Sequence, residues 1–423
     1  MSSSLHRIKV RKQHFIACQR SHARLKKYYQ RLQQISRSLS HIDETRNQPF
    51  FLVFQALNTR MEKGITMSPN EIDTLQNNIE KFTQDIQGEI TLLEAELLEE
   101  QEREVRASYH RSKNLKFVTD LLDNKLPDSQ PSLDTALIHS FQNDAESTSD
   151  SLYQAPITLS PQTIAQFEQI EAMIIRLGIL DNQQDLTSYQ TQYQKILLLN
   201  DKAQRQLKAD SLIFELATEI RQIQHLQNLR VQLAVTIAEL ESLEDEEAVM
   251  IAHEAGNLVQ QGSLAEITNH LASVNDAITR IEQRITAAER RNVVLAGLRE
   301  LGYQINENEV NAWLTDGQVV ISHPLTPDYG LELGAGGEES TRFQVRTVAF
   351  SAERDTTRDR DIDAIWCQQH HQLQENLAKA GAELTIDRAL PPGSGKMKVR
   401  EPHNVSRQQR VVNHRKKAKM NQK

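Results

Sequence analysis

Residues 263–285 read SLAEITNHLASVNDAITRIEQRI, and the apolar side chains of this stretch decide the architecture. Leu264, Ile267, Leu271, Val274, Ile278, Ile281 and Ile285 follow one another at alternating steps of three and four. That spacing draws a narrow seam along a helix, the pattern of helices that pair lengthwise. The seam opens on Ser263-Leu264-Ala265-Glu266. The serine hydroxyl can accept from a free first-turn amide, and a glutamate three residues on can reach back. The helix start is thus chemically marked.

The same chemistry recurs upstream. Ser68-Pro69-Asn70-Glu71 forms a second capping box, with proline where the first turn has no amide to lose. Behind it run Ile72, Leu75, Ile79, Phe82, Ile86, Ile90, Leu93 and Leu97. A third block carries Ile213, Leu216, Ile220, Ile223, then Leu226, Leu229, Leu233, Ile237 and Leu240. No proline stands between Pro161 and Pro324, as long helices require. The sequence therefore predicts a mainly α fold: an elongated body of helical hairpins or coiled coil. Antiparallel hairpins within one chain and a parallel homodimer use the same seams.

Ten of the fifteen glycines follow residue 296, so the C-terminal region is built differently. Residues 287–395 read as a small α+β domain in the order α-β-β-β-α-β. Its elements are a helix to Leu301, strands at 311–322, 329–333 and 343–350, a helix over 359–380 and a last strand to Leu390. An antiparallel sheet with helices on one face suits this order. The remaining segments are a basic N-terminal helical segment (1–65), a coiled-coil helix (66–122), a flexible linker (123–160), a helical block (161–286) and a basic disordered tail (396–423). Within the first, residues 5–45 read as helix, and Phe50, Phe51, Leu52, Phe54 and Leu57 read as a short buried helix.

Charge is distributed in three blocks. Residues 1–50 sum to +9 and residues 396–423 to +9, against −8 for the whole chain, which leaves −26 on the 345 residues between. Cationic ends on an acidic body seek polyanions or acidic protein surfaces, including the body itself. The candidate anion- or nucleic-acid-binding residues are Arg11, Lys12, Arg24, Lys26 and Lys27 near the start and Arg415, Lys416, Lys417 and Lys419 near the finish. Phosphate binding by such residues needs density and reach rather than a motif.

Motifs for chemistry are incomplete. Gly393-Ser394-Gly395-Lys396 imitates a phosphate loop, but Leu390 stands where its first glycine belongs and Met397 where it needs Ser or Thr. Cys367 and His370 have a helical spacing that can share a metal, yet structural zinc takes four ligands, so Trp366 and its neighbours read as core. His253-Glu254 lacks the second histidine of a zinc protease, with Asn257 in its place. No catalytic residue, cofactor or metal is expected.

No apolar run reaches the roughly 18–20 residues of a membrane span, no apolar signal core follows Arg7, and Cys18 and Cys367 suggest no disulfide framework. The expected location is cytoplasmic. The expected function is a non-enzymatic coiled-coil scaffold or accessory subunit of a larger assembly, with protein partners and self-association through the seams. It would dock through the α+β domain and the basic ends. The alternative is a nucleic-acid-associated protein that uses those ends.

Overall fold

The computed structural model describes residues 3–39, 44–123, 161–181, 185–305, 310, 313, 317–335 and 342–400. The expected linker, the turn before strand two and the tail beyond residue 400 fall wholly or largely outside them. The chain is mainly helical with a small antiparallel sheet. Among the described residues the helices are α1 (Arg11–Ser38), α2 (Glu44–Glu62), α3 (Pro69–Asp123), α4 (Pro161–Leu180), α5 (Thr187–Leu197), α6 (Lys202–Glu241), α7 (Glu246–Gln261), α8 (Leu264–Glu300) and α9 (Asp359–Lys379). The strands are β1 (Ser3–Val10), β2 (Gln318–Ser322), β3 (Tyr329–Ala335), β4 (Arg342–Ala349), β5 (Ala382–Ala389) and β6 (Lys398–Val399).

Both capping boxes form. The Ser68 amide donates to Glu71 Oε2 (2.8 Å) and the Glu71 amide to Ser68 Oγ (3.4 Å), and the same pair of bonds joins Ser263 and Glu266. The α7–α8 pair is an antiparallel hairpin turned at Gly262-Ser263, so this seam is used within the chain. Ile267, Val274, Ile278 and Ile281 are buried, while Leu264 is exposed. At the hairpin's open end Arg284 bonds Asp245 and Glu247, and Arg280 bonds Glu247.

The residues group into two compact units. The first comprises Met1–Gln30, Asp43–Gln87 and Arg230–Lys423. The second comprises Arg31–Ile42 and Gly88–Leu229. In the second, Phe167, Ile170, Ile174 and Leu177 of α4 pack with Ile196 of α5 and with Ala209, Leu212, Leu216 and Ile220 of α6. An ion pair from Arg176 to Glu102 (2.6 Å) ties α4 to α3.

In the first unit the sheet runs β2-β3-β4-β1-β5. Residues 3–10 therefore form a strand, and the N-terminal helix starts at Arg11 rather than at Leu5. Alternation explains the difference: Ser4, His6, Ile8 and Val10 are buried, and the residues between them turn outward. The α-β-β-β-α-β order appears as α8-β2-β3-β4-α9-β5, but the domain does not close on itself. β1 pairs antiparallel with β4 on one side and β5 on the other, with Ile8 opposite Leu384. Residues 3–10 are thus part of the C-terminal fold.

Its core joins Ile8 and Val10 to Val294, Leu295 and Leu298 of α8, to Val319, Leu333 and Val345 of the sheet, and to Trp366, Leu373 and Leu377 of α9. Gly297 permits the close approach of the two helices; a Cβ there would lie 2.8 Å from Leu373 Cδ1. Helix α2 departs from expectation as well. Phe54 stacks on Tyr29 (4.1 Å between ring centroids) and Leu57 is buried, but Phe51, Leu52 and Val53 fall on the outward arc and stay exposed. An apolar run of five residues covers more than one face of a helix, so it cannot all be buried on one side.

Candidate anion-binding site

The basic residues of α1 divide into two sets. Arg24 Nε donates to Glu239 Oε1 (2.6 Å), and Arg20 bridges Glu239 (3.2 Å) and Glu282 (2.6 Å). Glu239 is almost fully buried, and its hydrogen bond with Arg24 raises the Arg24 pKa against the opposing effect of burial. In the second unit Arg31 pairs with Glu94 (2.5 Å). Part of the N-terminal positive charge is therefore absorbed by the acidic helices of the same chain. Arg11 lies against Gly381, whose φ of +79° turns the chain between α9 and β5, and the Arg11 amide donates to the Gly381 carbonyl (3.1 Å). Lys12, Lys26 and Lys27 remain exposed and enter no ion pair among the described residues. Arg415, Lys416, Lys417 and Lys419 lie outside the described residues.

A second cationic group was not legible as a group. Arg346 on β4, Arg360 in the first turn of α9, and Lys396 and Lys398 beyond β5 line one cavity of about 460 Å3. The only local signal was Arg346 alternating outward between buried Val345 and Thr347. The segment that imitates a phosphate loop is the cavity's edge, but it works differently. Pro392-Gly393 sits at the centre of a tight turn, with the Ser394 amide donating to the Pro391 carbonyl (3.2 Å) and Gly393 at φ +74°. Proline followed by a glycine of positive φ is the chemistry of a type II turn. The Gly393 amide is spent on Asp363 Oδ2 (2.8 Å), so it does not cradle a phosphate as a phosphate loop would.

The Trp366-Cys367-His370-His371 group is resolved by the sheet. Trp366 is core, and His370 turns to His6 on β1 instead of sharing a ligand with Cys367. The two imidazoles stack at 4.8 Å, with His370 Nε2 at 3.3 Å from His6 Nδ1, and His6 Nε2 at 2.6 Å from Ser4 Oγ. Burial, reinforced by the neighbouring imidazole, lowers the His6 pKa to about 3; burial and then His371 lower that of His370 to about 4. Both rings are neutral at pH 7. A serine on a neutral histidine is also the arrangement of an activated nucleophile. Ser4 is only 2 % exposed, which keeps it from a substrate carbonyl, so the trio reads as a polar network inside the core. Among the described residues no group of three or more His, Cys, Asp or Glu side chains could hold a metal.

No protein-family model, curated protein or solved structure matches this chain. Among the described residues no helix is long and apolar enough to cross a membrane.

Proposed function

We propose that the protein is a non-enzymatic helical scaffold, an accessory subunit that docks onto a larger cytoplasmic assembly through its α+β domain. One observation carries this reading: Arg20, Arg24 and Arg31 are neutralised by Glu239, Glu282 and Glu94 of the same chain. Charge that is consumed internally organises helices instead of recruiting a ligand. The helices then serve as structure, and the α+β domain with the remaining lysines supplies the docking surface. Affinity purification from the native host, with and without nuclease, tests it. Protein partners that persist after nuclease are expected; loss of every partner would sink the reading.

A second reading, nucleic-acid association, is favoured by a separate observation. Lys12, Lys26 and Lys27 of α1 and the four cations around the 460 Å3 cavity have no carboxylate partner among the described residues. Positive charge without an internal partner is what a phosphate backbone recruits. Binding that weakens steeply with salt would support it.

A further inference from the structure

We propose that the cavity beneath the Pro391–Ser394 turn is a phosphate-binding site, taking either the phosphate of a small ester or one in a nucleic-acid strand. The site goes beyond the scaffold reading and gives the nucleic-acid reading a specific location. Four cations from three segments line the cavity: Arg346, Arg360, and Lys396 with Lys398. None pairs with a carboxylate among the described residues. Holding them together without an anion leaves mutual repulsion that a phosphate would relieve.

Two carboxylates also line the cavity, but each has another partner. Asp359 is bonded by the Arg354 guanidinium (2.8 Å) and by the Tyr329 hydroxyl (3.2 Å). Asp363 accepts from the Thr347 hydroxyl (2.5 Å) and the Gly393 amide (2.8 Å). Arg354 cancels the charge of Asp359, which leaves four cations against Asp363, so the lining stays net positive.

The segment bearing the lysines is fixed at both ends. The Leu390 amide donates to the Ser3 carbonyl (2.9 Å), and the Arg400 amide to the Ala349 carbonyl (2.8 Å). Arg400 is further held by Glu332 (2.7 Å). The Arg360 stem packs over the turn, its Cγ at 3.2 Å from where a Gly393 Cβ would stand. The backbone of this segment has little conformational freedom left to lose on binding. The volume falls within the range of small-ligand sites, about 300–1,000 Å3. Arginine supplies a planar fork for phosphate oxygens, and lysine a mobile point charge.

The test uses the full chain and the variant Arg360→Gln/Lys396→Gln, which removes two exposed charges. Two probes are titrated at about 50 mM salt: pyrophosphate, and a labelled single-stranded oligonucleotide of about 20 nucleotides. The expected result is binding that pyrophosphate competes for, weakened about tenfold in the variant, with the salt slope reduced by about one. Pyrophosphate binding without oligonucleotide binding supports the site, assigns it to a small ester and sinks the nucleic-acid reading. Oligonucleotide binding that is unchanged in the variant and indifferent to pyrophosphate overturns the site and leaves that reading standing. Binding of neither probe overturns both. Lys398→Gln, a single exposed change, repeats the measurement if the double variant shifts the melting temperature.

Discussion

His370 Nε2 lies 3.3 Å from His6 Nδ1, although 364 residues separate them in the chain. The contact places a strand from the first ten residues against a helix near the last fifty. It also makes the α+β domain sensitive to acid. Burial holds both folded-state pKa values below 6.5, at about 3 for His6 and about 4 for His370. The folded state therefore resists protons that the unfolded state takes up. Stability from this source is complete above pH 6.5 and is lost as pH falls from 6.5 towards 4 and then 3, by up to about 1.4 kcal/mol per pH unit for each histidine. Melting temperatures between pH 8 and about pH 4 should show this loss. The double variant His6→Phe/His370→Leu should flatten it, and an unchanged slope would refute the assignment.

The N-terminal strand should be indispensable to the C-terminal fold. A fragment of residues 287–395 lacks the strand between β4 and β5, so Ile8 and Val10 leave the core and two strand edges open. Trp313 and Trp366 fluorescence should report a broad, non-cooperative melt. Fusing residues 1–12 to the fragment through a linker should restore a cooperative transition. A sharp melt of the bare fragment would contradict the sheet order.

Removing the buried acceptor of α1 should cost more than removing either arginine. Glu239→Gln deprives Arg24 of its charge partner and leaves Arg20 with Glu282 alone. Because both arginines are partly exposed, the expected destabilisation is about 2 kcal/mol, below that of a fully buried pair. Denaturant unfolding of Glu239→Gln, Arg24→Gln and the double variant forms a cycle. A coupling energy near zero would show that the bond at 2.6 Å adds nothing.

Position 278 separates a seam from a surface. Ile278 is 1 % exposed, whereas its neighbour Thr279 faces outward. Ile278→Asp should destabilise by at least about 3 kcal/mol, because an unpaired carboxylate enters the buried face of α8. Thr279→Asp should stay within about 0.5 kcal/mol of the parent. Equal effects would place the seam wrongly.

Gly381 offers a backbone test. Alanine at φ +79° is strained, and its Cβ would collide with the Arg11 guanidinium. Gly381→Ala should lower stability by about 1–2 kcal/mol. Pairing it with Arg11→Ala should recover only the part due to the clash, leaving the conformational part.

The features legible in the sequence were those written locally. The starts of α3 and α8 follow from four residues each, because a capping box is closed within one turn. The seams follow from spacing alone. The strand at 3–10 was hidden because its buried face carries Ser4 and His6 while Leu5 is on the other face, which inverts the usual apolar-in pattern; its partners stand some 340 residues away. The candidate cavity was hidden for the same reason. Arg346, Arg360, Lys396 and Lys398 look like scattered surface charges until the β4–α9–β6 topology brings them together. The lysines of α1 could be named from density, but which arginines were already spoken for depended on Glu239 and Glu282, more than 200 residues downstream.

The position of β1 between β4 and β5 also sets an order in time. Val10 leaves the ribosome ahead of Ala389, which follows 379 residues later, roughly 20–75 s at 5–20 residues per second. Throughout that interval the first strand has neither neighbour, while the helical segments between can already pair. A chain whose synthesis stops early carries finished helices but an orphaned strand with two bare edges. The sheet can thus close only once β5 has been made.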